Sequence, residues 1–118
     1  MLINFSNHPS ALWGQKQLEA AREYGEVKDM PFPKVSPEAG HDEIQALAEH
    51  YVAEIQTLAE THRLVVHVMG EMTFTFLVVS RLKAAGIECV ASTTEREAEL
   101  TADGKKISEF RFVRFRKY

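Results

Sequence analysis

Hydrophobic residues run without alternation over residues 64–69, and a helical pattern follows them. The first run is rich in β-branched residues and has the length of a strand that is buried on both faces. After Gly70, apolar residues recur at helical spacing over residues 74–82, and Gly86 marks the end of that helix. The pattern predicts a buried strand, a polar turn over residues 70–73 and a buried helix.

The same reasoning divides the rest of the chain into alternating strands and helices. It predicts strands at residues 2–5, 26–30 and 87–91, helices at 10–24 and 42–61, a proline-rich loop at 31–40, and a hairpin of residues 97–101 and 106–116 around a turn at 102–104. Ser10 is the expected N-cap of the first helix. Since crossovers are right-handed, this order favours an α/β three-layer sandwich with a mainly parallel sheet, in the strand order 2-1-3-4, and the hairpin at its edge.

Length and composition narrow the function classes. At 118 residues the chain is predicted to form one domain, residues 1–118. A net charge of −3 argues against binding long nucleic acid, but a small nucleotide needs only a local positive charge. We expect no membrane span and no signal peptide. The lone Cys89 is expected to be a small buried residue, and it fits a cytoplasmic, reducing environment.

Polar residues cluster where three predicted strands end. In a parallel sheet these ends share one rim, so we expect one crevice lined by Ser6, Asn7, His8, Ser10, Gly70, Glu71, Thr73, Ser92, Thr93, Thr94, Glu95 and Arg96. The turns before the first and third helices also present backbone N–H groups, which favour an anion such as phosphate. The residues therefore predict a pocket for a negatively charged ligand.

Several candidate site residues also have a purely structural interpretation. Helix capping alone would explain Ser10 and Thr73, although capping and ligand contact are compatible, and Ser92 with Glu95 matches a capping box. His67 lies within an apolar strand, where a hydrogen-bonded core histidine is the favoured interpretation. The phenylalanines of residues 110–115 are more typical of a core strand than of a base-stacking surface.

Several common site motifs are absent from the sequence. It contains no GxGxxG, Walker A, CxxC, HExxH or GxSxG pattern. With one cysteine and scattered histidines, neither a metal site nor a cofactor is expected.

The opening Asn4-Phe5-Ser6-Asn7-His8-Pro9-Ser10, followed by Gln17, resembles that of small CRISPR-associated proteins related to CARF (CRISPR-associated Rossmann fold) domains. This resemblance implies a Rossmann-like homodimer that binds cyclic oligoadenylate second messengers and cleaves them, switching off type III CRISPR signalling. The reaction would be metal-independent, with a ribose 2′-hydroxyl attacking the adjacent phosphodiester. The resemblance also implies roles for individual residues: phosphate binding by Ser6, Asn7 and Ser10, acid–base catalysis by His8 or Glu71, charge neutralisation by Arg96, and base or ribose contacts by Trp13 and Gln17.

Two other functions remain open from the sequence. The same scaffold can serve as a nucleotide or phosphate sensor without chemistry, because no unmistakable acid–base pair is visible. It can also be a partner-binding module that uses the edge of the last strand, where Arg111, Arg114 and Arg116 provide positive charge.

Overall fold

A computed structural model describes the backbone of residues 1–118 and every side chain except that of Glu97. The strands are β1 (Leu2–Ser6), β2 (Val27–Asp29), β3 (Val65–Met69), β4 (Glu88–Leu100) and β5 (Lys106–Lys117). The α-helices are α1 (Gln15–Arg22), α2 (His41–Ala59) and α3 (Met72–Ala84), and a short 3-10 helix spans Ser10–Leu12. The predicted α/β class is confirmed.

The five strands form one mixed sheet in the order β2-β1-β3-β4-β5. The pairs β1–β2, β1–β3 and β3–β4 are parallel, and β4–β5 is antiparallel. The antiparallel pair runs much further than the parallel ones: β3 meets β4 only at residues 88–90, whereas β5 follows β4 from Val90 to Leu100. The prediction of a mainly parallel sheet is therefore corrected: the sheet is mixed, because the long β4–β5 pair is antiparallel.

Helices cover both faces of the sheet. Side chains alternate along a strand, so Ile3 and Phe5 of β1 face α2 and α3, while Leu2 faces α1. The α2–α3 face is apolar and contains an aromatic cluster around Phe5, whose ring centroid lies 5.2 Å from that of Phe32 and 5.9 Å from that of Phe74. The α1 face is different, because its buried residues include polar side chains of β1 and β3.

The first helix begins later than the sequence predicted. Ser10 does not cap it; the Ser10 hydroxyl donates to Asp29 Oδ2 at 2.9 Å and so ties the 3-10 turn to β2. Trp13 then takes an extended backbone (φ −71°, ψ 143°) that allows its ring into the core, and α1 starts after Gly14. The prediction of one helix from residue 10 was wrong because it ignored this inward turn of the tryptophan.

The fourth strand does not end at residue 91. Residues 92–96 were predicted to form a turn, but they continue β4, and the capping box of Ser92 with Glu95 does not form. An antiparallel partner is the physical reason, because β5 satisfies the backbone of this β-branched segment across a register irregularity between Thr93 and Thr94. The hairpin turn predicted at residues 102–104 is present, with Gly104 at φ 81°.

Residues 94–112 thus form a long two-stranded arm, here called the ribbon. It gives the molecule extents of 53 × 38 × 21 Å. Three of its large apolar side chains, Leu100, Ile107 and Phe110, are more than half exposed. Within the part of the chain that the structure describes, no helix is long and apolar enough to cross a lipid bilayer. Cys89 is buried as predicted, and its burial raises the pKa of the thiol to about 11.

Candidate functional site

A cavity of about 680 Å³ lies between the start of α1 and the near end of the ribbon. We call it the α1 cavity. Its lining residues are His8, Leu12, Gly14, Gln15, Lys16, Gln17, Ser92, Thr94, Glu95, Phe110, Arg111 and Phe112. Its volume falls within the range of ordinary small-molecule sites.

The N-terminus of α1 opens onto this cavity without a side-chain cap. The N-cap is Gly14, which has no side chain to accept from the helix, and the first turn carries no acidic residue. The first intrahelical bond from this cap joins Leu18 N–H to Gly14 O at 3.1 Å, so the preceding N–H groups have no acceptor within the helix. Such groups, together with the helix dipole, attract an anion.

The charged side chains of the cavity also favour an anion. Lys16 and Arg111 contribute positive charge to the lining and Glu95 contributes one carboxylate, while Arg111 Nη2 also lies 3.8 Å from Glu109 Oε2. Phe110 and Phe112 add aromatic surface from β5, and the Phe110 side chain is 68% exposed. The cavity therefore combines anion-binding groups with rings on which a nucleobase could stack.

Beneath the cavity floor lies a buried polar network on the α1 face of the sheet. Asn4 and His67 occupy partner positions in the β1–β3 pair, and each is at most 2% exposed. The His67 Nδ1 lies 2.9 Å from Asn4 Oδ1, and the His67 Nε2 lies 3.2 Å from Ser92 Oγ. The network thus connects the sheet interior to a hydroxyl that lines the cavity.

The partners of Asn4 fix the orientation of its amide. Its Nδ2 donates to the His8 carbonyl at 3.0 Å and to Asp29 Oδ1 at 2.9 Å, and both of these atoms can only accept. The Oδ1 must therefore face His67 and the Ser6 hydroxyl, which donates to it at 2.7 Å. Because Oδ1 can only accept, the proton of a neutral His67 lies on Nδ1 and its Nε2 is bare.

His67 is neutral at ordinary pH. Burial lowers its pKa from 6.5 to about 4, and the charge of nearby His8 contributes in the same direction. Trp13 packs edge-on against the imidazole, with centroids 5.4 Å apart, and its Nε1 donates to the His8 carbonyl at 3.1 Å. The ring is therefore held by contacts on several sides.

The structure brings together only part of the predicted crevice. His8, Ser92, Thr94 and Glu95 of that crevice line the α1 cavity, and so does Gln17, which the resemblance had implied as a ligand contact. Ser6 and Asn7 line a neighbouring cavity of about 450 Å³, together with Asp29.

The third turn lies elsewhere. Thr73 borders an apolar groove between α2 and α3, away from the residues of the α1 cavity. Glu71 is the N-cap of α3: its carboxylate accepts from the Phe74 N–H at 2.7 Å and from the Thr73 N–H at 3.1 Å. These bonds lower the pKa of Glu71, the Phe74 N–H most and the Thr73 hydroxyl next. The α1 cavity is therefore lined by residues from the turn after β1 and from β4, and none of its lining residues comes from the turn after β3.

Four further predicted residues have structural contacts instead of a place in the α1 cavity lining. Gly70 lies so close to Phe32 that an added Cβ would be 2.2 Å from the ring. Thr93 donates to the Arg114 carbonyl at 3.1 Å, Arg96 donates to Ser108 Oγ at 3.1 Å, and Trp13 is 5% exposed.

Sequence reasoning assigned no site role to Asn4, Lys16, Asp29 or His67. The alternation of β1 and β3 carried a usable signal, since Asn4 and His67 are polar residues inside otherwise apolar strands. Among the described residues, no group of three His, Cys, Asp or Glu side chains is placed to hold a metal ion.

Comparison with known proteins identifies a family. A family model described as "Uncharacterized protein MJ1673 family" matches residues 1–116. The chain belongs to this family. No curated protein and no solved structure matches the chain significantly. The family description names no activity, so a function for this member of the MJ1673 family must be argued from its own residues.

Proposed function

We propose that this Rossmann-like, CARF-like domain binds a cyclic oligoadenylate in the α1 cavity and cleaves it, as an off-switch for type III CRISPR signalling. One observation carries the proposal: an uncapped helix N-terminus opens onto a cavity that also holds Lys16, Arg111 and two phenylalanines. A phosphodiester would sit at the α1 N–H groups, with Lys16 balancing its charge. Adenine would stack on Phe110 or Phe112.

The proposed site is shared between two copies of the chain. A two-stranded ribbon is marginally stable alone, and this one exposes Leu100 and Ile107. A homodimer in which the ribbons pack together would cover these side chains and place two α1 cavities beside each other. A ring-shaped ligand with repeated phosphates suits such a symmetric arrangement.

Cleavage in this proposal needs no group beyond the chain, the ligand and water. The ribose 2′-hydroxyl attacks the adjacent phosphorus, the bond to the 5′ oxygen breaks, and a 2′,3′-cyclic phosphate forms. The protein contributes in-line positioning and stabilises the developing negative charge. Lys16 and Arg111 line the cavity and take the role that the sequence suggested for Arg96.

Labelled cyclic tetra-adenylate and hexa-adenylate, incubated with the protein in EDTA, test this function. The proposal predicts tight binding and linear products carrying a cyclic phosphate. Lys16→Glu should weaken binding about tenfold or more, because it places a like charge at the phosphate site. Lys34→Glu, in the loop of residues 31–40, is the matched control and should bind like the wild type. Equal binding by the Lys16→Glu variant and the wild type contradicts the proposed site.

A nucleotide sensor without chemistry is the second candidate. It is favoured by the position of Glu71, because the carboxylate suggested as a base is engaged as the cap of α3. Tight binding of either ring with no product after prolonged incubation would support the sensor. No binding of any nucleotide, together with capture of a defined protein partner, would instead favour a partner-binding module.

A further inference from the structure

We propose that Asn4, His67 and Ser92 form a proton relay whose outer hydroxyl, Ser92 Oγ, accepts the proton of the attacking ligand hydroxyl. The relay rests on the proposed function and names the base that the function requires. It replaces Glu71, and it gives a role to a histidine that is too deeply buried to touch a ligand.

The hydrogen bonds of the three side chains run in one direction. The amide of Asn4 is fixed by the His8 carbonyl and by Asp29, so its Oδ1 receives the Nδ1 proton of His67 across 2.9 Å. That leaves a lone pair on Nε2, directed at Ser92 Oγ across 3.2 Å. The three side chains stand in the order orienting group, base, hydroxyl, which is the geometry that activates a hydroxyl in enzymes with a buried base.

A second acceptor competes for the Ser92 proton. The Met69 Sδ lies 3.0 Å from Ser92 Oγ and 3.2 Å from Ser92 N. A thioether is a weak acceptor and a bare imidazole nitrogen is a strong one, so the hydroxyl proton is directed to His67. Met69 receives the backbone N–H of Ser92 and helps to hold the serine in place.

The two ends of the relay differ in their exposure to solvent. His67 is 2% exposed, whereas Ser92 is partly exposed and lines the α1 cavity beside His8 and Thr94. A ligand can therefore reach the basic nitrogen only through the Ser92 hydroxyl.

The ribose 2′-hydroxyl gives its proton to Ser92 Oγ, and Ser92 gives its own proton to His67 Nε2. The 2′ oxygen forms a bond to phosphorus, the bond from phosphorus to the 5′ oxygen breaks, and that oxygen takes a proton from water. The imidazolium keeps its Nδ1 bond to Asn4, then returns its Nε2 proton to solvent through Ser92.

The test compares Ser92→Ala with wild type in two separate assays, binding and single-turnover cleavage of labelled cyclic tetra-adenylate. The relay predicts that binding stays within about threefold while the cleavage rate falls about 100-fold, as expected for loss of a general base. Ser80→Ala, an exposed serine on α3, controls for loss of a hydroxyl and should match the wild type in both assays. If Ser92→Ala cleaves the ring as fast as the wild type does, the relay is overturned and the proposed function stands. Failure of the wild type to bind the ring overturns the proposed function instead.

A second measurement does not depend on activity. Imidazole 15N shifts report which ring nitrogen of His67 carries the proton. The relay predicts a neutral ring protonated on Nδ1, with an Nε2 shift that changes in Ser92→Ala. A ring protonated on Nε2 overturns the relay whatever the ligand is. Wild-type binding without any cleavage also overturns it, because a relay of this kind has no use in a sensor.

Discussion

Asn4 Oδ1 lies 2.9 Å from His67 Nδ1, across neighbouring parallel strands and inside the sheet. A buried polar pair of this kind is costly unless each member is fully hydrogen-bonded. Here Asp29, Ser6 and Ser92 complete the bonding. The pair therefore organises the α1 face of the sheet.

His67 should make the protein less stable in acid. Its pKa is about 4 in the folded protein and 6.5 when unperturbed, so between these values the unfolded chain binds a proton that the folded protein does not. The free energy of unfolding is therefore unaffected by this group above pH 6.5. It decreases as pH falls towards 4, by about 3 kcal/mol in total. Urea unfolding of wild type and His67→Gln across this range measures the effect. Equal pH slopes for the two proteins would contradict the assignment.

Glu71→Ala should reduce stability without affecting ligand binding. The change removes the acceptor for the Thr73 and Phe74 N–H groups at the start of α3, so we expect a melting temperature lower by roughly 5 °C. Glu71→Gln retains an acceptor oxygen and should lose less. Thermal unfolding gives the comparison, and a binding titration completes it. A large loss of affinity in either variant would restore Glu71 to the site.

Gly70→Ala should disturb the aromatic core. The new Cβ would lie 2.2 Å from Phe32, whose ring packs at 5.2 Å from both Phe5 and Phe74 and so has little room to move. Overpacking of this kind costs about 1–3 kcal/mol. Gly40→Ala is the matched control, since its Cβ meets nothing within 4 Å. Chemical denaturation measures the loss of unfolding free energy in both variants. Similar losses in the two would argue against a packing role for Gly70.

The ribbon should mediate self-association. Wild-type protein is expected to sediment with twice the chain mass of 13.4 kDa, and a Leu100→Lys, Ile107→Lys double variant to sediment as a monomer. Charged groups on both strands would be buried at the contact without partners, which disfavours it. Sedimentation equilibrium distinguishes these states. A monomeric wild type would contradict a ligand site shared between two copies of the chain.

Local patterns were sufficient to predict the main elements. The spacing of Ile44, Ala48, Val52 and Ile55 predicted α2, and the apolar run at residues 64–69 predicted β3. Two errors came from contacts distant in sequence. Ser92 has the sequence pattern of a cap, but its backbone pairs with β5. Ser10 has the same kind of pattern, but its hydroxyl donates to Asp29, 19 residues away.

The site was predictable only in part, for a related reason. Strand ends mark the rim of a sheet, so His8 and the segment around Ser92 and Thr94 could be grouped from the sequence. The face on which a turn projects depends on how its helix packs, and α3 carries Thr73 towards α2. His67 was expected to be buried, and it is, but its bond to Ser92 depends on the extension of β4 that the sequence did not indicate.

The most direct test of the ligand site is a titration of 15N-labelled protein with cyclic tetra-adenylate, followed through the backbone amides. The account predicts the largest shifts at Gln15, Lys16 and Gln17, with further shifts at Ser92 and Thr94. Amides of residues 72–77, which border the groove between α2 and α3, should stay unchanged. Shifts confined to residues 72–77, or no shifts at saturating ligand, would contradict the α1 cavity as the binding site.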